Sequence, residues 1–221
     1  MSLIYILDIF GTLAFAVSGA FRAVKYELDI FGVLVLSAAT GVGGGIMRDT
    51  IIGSIPPAAF HDETYLLICI GGGLVVFVAA PYLAQRWDLV MIADAVGLGV
   101  FSAIGAAKGA AHGLGPIGAI FMGTLTATGG GVIRDILVTE IPAIIRKDFY
   151  ATAAIAGAVS LVIFRFLGFG ESVQVISAII VATGLRIFAM TVNLNLPKIK
   201  SLPDSPSNIT RTRKEKHKSK R

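Results

Sequence analysis

Apolar stretches close to the length of a bilayer-spanning helix recur along almost the whole chain, and this leaves few folds open. They run approximately Leu3–Ala23, Ile30–Gly53, Tyr65–Ala84, Leu89–Ala110, Pro116–Val138, Tyr150–Phe169 and Val173–Leu194. A helix needs about 20 predominantly apolar residues to cross the hydrocarbon core. Every stretch comes close to that length, and the connections are short and carry Pro, Gly or charge. None of the runs alternates polar with apolar residues, as strands of a membrane barrel would. Only 15% of the residues are charged, against about 25% in soluble domains, and the mean hydropathy is +0.80. The chain therefore reads as an all-α membrane protein of seven transmembrane helices. The first stretch lacks a basic leader, carries Asp8 and is copied later in the chain, so it reads as a retained span rather than a signal peptide.

The copying is systematic. At one constant offset Asp8 falls on Asp94, Gly11 on Gly97, Phe15 on Phe101, Arg22 on Lys108 and Thr40 on Thr126. At the same offset Gly43-Gly44-Gly45 with Arg48-Asp49 falls on Gly129-Gly130-Gly131 with Arg134-Asp135, and Ile55-Pro56 on Ile141-Pro142. Matches of Gly and Ala alone are cheap in membrane proteins; a repeated GGGxxRD block is not. Residues 1–88 and 89–170 are thus two copies of a three-helix unit. Residues 171–196 hold a seventh transmembrane helix, expected to fill the gap between the copies, and 197–221 a basic disordered tail. An odd number of spans per unit makes the second copy cross the membrane in the opposite sense, which gives an inverted repeat with its sites near the midplane.

Basic residues flank cytoplasmic ends of membrane helices. Arg22 and Lys25, Arg86, Arg146 and Lys147, and the tail from Arg211 to Arg221 share one side if the N-terminus is outside and the C-terminus in the cytoplasm. Lys108, His112 and Arg165 are exceptions. The tail reads as a solvated anchor of topology, with anionic lipid as a possible contact and no nucleic-acid role. The single Cys69 lies in an apolar run and reads as packing. His61, His112 and His217 form no metal or nucleophile pattern, so no enzyme activity, cofactor or tightly bound metal is expected.

Three consecutive glycines in a helix cost about 1 kcal/mol each relative to Ala, and an opened backbone in hydrocarbon is tolerated only beside protein or water. Two readings follow for Gly43–Gly45 and Gly129–Gly131. The second and fifth spans kink there and line an aqueous path, or the glycines let helices approach closely. Gly71–Gly73, without charged neighbours, fits close packing. Ionised groups inside a membrane face the protein interior or water. Arg48 points back toward its glycines, and Asp49 is expected early in a half-helix beyond the break, near its positive end. The inverted arrangement puts Asp8 in the same half of the membrane as Arg48, and Asp94 in the same half as Arg134. Two polar constrictions are expected, one per unit, with Arg186 a candidate to join the second.

A duplicated three-span unit plus a seventh span, with GVGGGIMRD and ATGGGVIRD in spans two and five, resembles the trimeric intracellular cation (TRIC) channels in their bacterial and archaeal branch, also catalogued as a putative glycine transporter family. The resemblance covers roughly Leu3 to Leu194. It implies a homotrimer in a bacterial or archaeal inner (cytoplasmic) membrane. Each subunit would hold a pore permeable to monovalent cations, chiefly K+, with Na+ as the other candidate. Spans two and five, kinked at Gly43, Gly44, Gly45, Gly129, Gly130 and Gly131, would line it, with Arg48 and Arg134 following. Animal members carry Lys-Glu-Val in the fifth span where ATGGGVIRD stands here, so their phosphoinositide binding is not carried over. Asp8, Asp49, Asp94 and Asp135 are the carboxylates able to offset the arginines in such a path. The alternative is a secondary transporter of glycine or another small amino acid, since inverted repeats and broken helices occur there too. The faces Gly11-Phe15-Gly19 and Gly97-Phe101-Gly105 are candidate subunit contacts.

Overall fold

The structure, a computed structural model, describes residues 3–83, 87–146, 149–192 and 194. Arg86, Lys147 and the basic tail lie outside the described residues. The chain forms α1 (Leu3–Lys25), α2 (Ile30–Ile51), α3 (Ala58–His61), α4 (Thr64–Leu83), α5 (Trp87–Ala111), α6 (Pro116–Leu137), α7 (Ala143–Arg146), α8 (Ala151–Phe166) and α9 (Glu171–Val192). Each apolar stretch of the sequence carries one long helix, while α3 and α7 are single turns inside the connections. Five helices, α1, α2, α5, α6 and α9, are long and apolar enough to cross a membrane; the apolar segments Thr64–Ala80 within α4 and Ala151–Phe166 are shorter. The molecule is an all-helical membrane protein.

Local chemistry sets the helix ends. Asp29 caps α2 by accepting from the Gly32 amide at 2.8 Å, and Pro116 stands in the first turn of α6, where its missing N–H loses nothing. The helices α2 and α5 end on Gly53 and Gly113, with φ of 77° and 81°. Their repeat equivalents, Thr139 after α6 and Glu27 after α1, hold the same left-handed conformation at φ 57° and 54°. Each pair also makes the same closing bond. Ser54 N donates to Asp49 O and Glu140 N to Asp135 O, both at 2.8 Å; Leu28 N donates to Ala23 O and Leu114 N to Gly109 O, both at 3.1 Å. The two copies thus share their terminal geometry even where only one supplies glycine.

Packing follows the duplication. Within the first copy α1, α2 and α4 contact one another, within the second α5, α6 and α8 do, and the copies meet through α1 against α5 and α2 against α6. Where α1 crosses α5, Phe15 and Phe101 lie with ring centroids 5.1 Å apart. A β-carbon at Gly11 would press on Val100, and one at Gly97 would run into the Phe15 ring. At Gly19 and Gly105 it would meet Thr40 and Thr126 within the same copy. The small-residue faces expected to join subunits are therefore used inside one subunit. The seventh long helix also departs from expectation. Instead of lying between the copies, α9 packs on α5 and α8 of the second, because Gly99 and Gly157 leave room for Thr183 and Ala182.

Candidate functional site: two buried ion-pair clusters

The glycine blocks do not interrupt their helices: α2 and α6 are continuous α-helix through Gly43–Gly45 and Gly129–Gly131. The expected break is absent, and the reason lies across the interface. A β-carbon at Gly44 would collide with the Thr126 carbonyl oxygen, and one at Gly130 with that of Thr40. Gly43 faces Ile133, and Gly129 faces Met47 and Gly44. Two glycines of each block thus let α2 and α6 approach to backbone contact. The third of each block differs. Beside Gly45 the nearest atom is Nη2 of Arg48, and beside Gly131 the Tyr150 hydroxyl and Nη2 of Arg134. These two glycines face the polar groups.

Asp8, Arg48, Asp49 and Lys108 meet in a first cluster. Arg48 Nε donates to Asp49 Oδ1 at 2.7 Å, and its Nη2 lies 3.8 Å from Asp8 Oδ2. The Tyr65 hydroxyl donates to Asp8 Oδ2 at 3.1 Å. The backbone N–H of Ala58, at the start of α3, donates to Asp49 Oδ2 at 3.1 Å. Asp49 therefore sits near the end of α2 rather than at the start of a half-helix, and Arg48 and the α3 amide supply the positive surroundings. Nη1 of Arg48 has no partner among the described residues.

The second cluster repeats this plan with tighter bonds. Arg134 Nη1 donates to Asp94 Oδ1 at 2.8 Å and to the Ser18 hydroxyl at 2.7 Å, while its Nε donates to Asp135 Oδ1 at 3.0 Å. Ser18 in turn donates to Asp94 Oδ1 at 3.1 Å, and the Ala143 N–H of α7 donates to Asp135 Oδ2 at 2.8 Å. Asp8 thus meets Arg48, and Asp94 meets Arg134. Arg186 joins the second cluster: it lines the same small cavity, of about 40 Å³, as Asp94 and Arg134, and its guanidinium lies 5.0 Å from the centre of the Tyr150 ring.

A further feature escaped the sequence reading. Lys108, at the end of α5 in the second copy, reaches the first copy's cluster, 3.8 Å from Asp8 Oδ2 and 3.7 Å from Asp49 Oδ1. Its counterpart Arg22, at the end of α1, reaches the second cluster, 3.1 Å from Asp135 Oδ1 and 3.5 Å from Glu140 Oε2. Each copy lends its terminal cation to the other. The signal was present in the alignment of Arg22 on Lys108, although hydropathy reads both only as topology charges.

A cavity of about 540 Å³ lies beside the first cluster, lined among others by Asp8, His61, Asp62, Tyr65 and Lys108. Asp62, in the connection before α4, accepts from the Tyr5 hydroxyl at 2.6 Å and from the Thr64 amide at 2.9 Å. The Thr64 hydroxyl, and next that of Tyr5, hold its carboxyl below the usual carboxylate range. Groups of three or more metal-ligating side chains are absent among the described residues.

Fold and site together define a polytopic membrane protein whose charged groups converge inside the helical bundle, where such groups mark a pathway or a binding site. A family model described as glycine transporter matches residues 5–81 and 91–165. A membrane protein of Vibrio cholerae is 37% identical over 89% of this chain and 82% of its own length. The inner membrane protein YadS of Escherichia coli is 44% identical over 71% of this chain and 76% of its own length. Among solved structures, the TRIC trimeric intracellular cation channel orthologue from Rhodobacter sphaeroides superimposes with a TM-score of 0.84 at 36% identity, covering 88% of this chain and 100% of that one. The chain belongs to this family, the prokaryotic branch of the TRIC channels.

Proposed function

We propose that the chain is a monovalent cation channel, permeable to K+ and Na+, that works as a homotrimer with a separate path in each subunit. The solved relative at 36% identity is a TRIC cation channel, and that likeness carries the class. The arrangement of the two clusters carries the path. Seven helices cross the membrane as an inverted repeat plus α9, with the N-terminus outside and the C-terminus in the cytoplasm. The path runs between α2 and α6 along the face that bears Gly45 and Gly131. Asp8, Arg48 and Asp49 bound its outer half, and Asp94, Arg134 and Asp135 its inner half. In the first cluster two carboxylates balance Arg48 and Lys108. A cation approaching there meets no net positive charge, which removes the barrier two unpaired cations would raise. The permeant ion is the only ligand required, and the basic tail is assigned to anionic lipid headgroups.

The family model's description as a glycine transporter keeps a second reading in view, and recording from purified protein in planar bilayers decides between them. Unitary K+ currents of many ions per millisecond are expected. A silent protein that instead supports saturable uptake of radiolabelled glycine into liposomes would make the chain a transporter.

A further inference from the structure

The two cations that cross between the copies are held very differently. Arg22 lies 3.1 Å from one carboxylate and 3.5 Å from another, with its side chain only 11% exposed. Lys108 lies 3.7 and 3.8 Å from its two, with its side chain 26% exposed. Those separations exceed the about 2.7–2.9 Å of a charge-assisted hydrogen bond, so charge more than directed bonding keeps Lys108 in place. The Lys108 side chain also lines the 540 Å³ cavity, which gives its flexible stem somewhere to go. The other cation of the cluster lacks that freedom. Arg48 is 1% exposed and fixed through Nε to Asp49. A lysine ammonium is a compact point charge on four rotatable carbons, close in size to a bare K+ ion.

We propose that the Lys108 ammonium is a tethered cation that occupies the place of a permeant ion between Asp8 and Asp49, and that its swing into the neighbouring cavity opens this end of the path. The inference rests on the channel reading. With Lys108 in place the cluster holds two carboxylates and two cations; with Lys108 withdrawn it carries one net negative charge beside a cavity wide enough for a hydrated ion. Arg22 performs no such exchange at the other end, being less exposed and hydrogen-bonded to Asp135 at 3.1 Å. Lys108 is then the residue that sets how often, and at what rate, cations pass the first cluster.

The test is bilayer recording of wild type, Lys108→Met and Lys108→Arg, each first shown to keep the size-exclusion profile of the wild type. Lys108→Met is expected to raise K+ current several-fold through conductance or open time, and Lys108→Arg, whose planar fork can bond both carboxylates, to lower it below wild type. Lys108→Cys adds a readout that a purely structural ion pair would not move. An aminoethyl methanethiosulfonate restores an ammonium and should cut the current back, whereas a sulfonatoethyl reagent should not. The native thiol, Cys69, is 0% exposed and stays out of reach. A folded Lys108→Met protein with unchanged or smaller current would overturn the proposal, as would equal responses to the two reagents. If wild type and Lys108→Met are both silent, the channel reading falls and this inference with it. A silent wild type beside a conducting Lys108→Met supports a tethered block.

Discussion

The two clusters are built from aligned residues yet differ in how firmly they are closed. In the second, Arg134 spans Asp94, Ser18 and Asp135 at 2.7–3.0 Å and Arg22 closes on Asp135. In the first, Arg48 holds Asp49 at 2.7 Å but reaches Asp8 only at 3.8 Å, and Lys108 stands off from both carboxylates. The sequence pattern recurs at a constant offset; the side-chain closure does not. Ser18 accounts for part of the difference, since its hydroxyl bridges Arg134 and Asp94, while Tyr65 serves Asp8 from α4. Residues aligned in the sequence can thus hold one loose and one tight cluster.

The largest expected effect breaks this comparison at its arginines. Arg134→Met leaves Asp94 with the Ser18 hydroxyl and no cation within 4.0 Å among the described residues. Removing one partner of a buried pair costs about 3–5 kcal/mol, so thermal unfolding in detergent should shift far. Arg48→Met should cost clearly less, because Lys108 and Tyr65 stay on Asp8 and the Ala58 amide stays on Asp49. Equal losses would mean the clusters are equally closed.

Next come the glycines. Gly44→Ala and Gly130→Ala place a methyl group against a backbone carbonyl of the facing helix, and overpacking of this kind costs about 1–3 kcal/mol. Gly45→Ala meets only the Arg48 guanidinium, and the helix-propensity gain of about 1 kcal/mol should leave stability unchanged or slightly raised. A block whose three positions respond alike would contradict the division between glycines that pack on the facing helix and glycines that face the arginines.

Smaller effects separate the crossing cations. Arg22→Met loses a charged hydrogen bond to the buried Asp135 carboxylate and should destabilise by about 1.5–3 kcal/mol. Lys108→Met should cost about 0–1 kcal/mol, as loosely held and partly exposed pairs do. Smallest of all, Thr139→Gly relieves a left-handed β-carbon and should stabilise by at most about 1 kcal/mol, readable as a small rise in midpoint temperature.

Much of this was legible in the sequence. Hydropathy located the long helices to within a few residues, one constant offset exposed the sequence repeat, and the orientation of the spans paired Asp8 with Arg48 and Asp94 with Arg134. Four features were not legible, for physical reasons. Glycine in hydrocarbon reads equally as an opened backbone or a close approach, and only the facing carbonyls of Thr40 and Thr126 decide for approach. Tyr65, Ser18 and Tyr150 join the clusters from other helices, a tertiary neighbourhood that local periodicity does not encode. Lys108 and Arg22 stand at helix ends, where a basic residue ordinarily reports topology, so their crossing shows only once the helices are packed. The seventh helix was misplaced because its small-residue partners, Gly99 and Gly157, lie within the second copy.

The central claim is that one path passes both clusters, entered from opposite faces of the membrane. Side-specific block of K+ current in planar bilayers, with a charged methanethiosulfonate acting on Gly45→Cys or Gly131→Cys, tests it most directly. The account predicts that Gly45→Cys is blocked from the face bearing the N-terminus and Gly131→Cys from the opposite face, each more slowly or not at all from the other side. Block of both from the same face, or modification that leaves the K+ current of both unchanged, would contradict it.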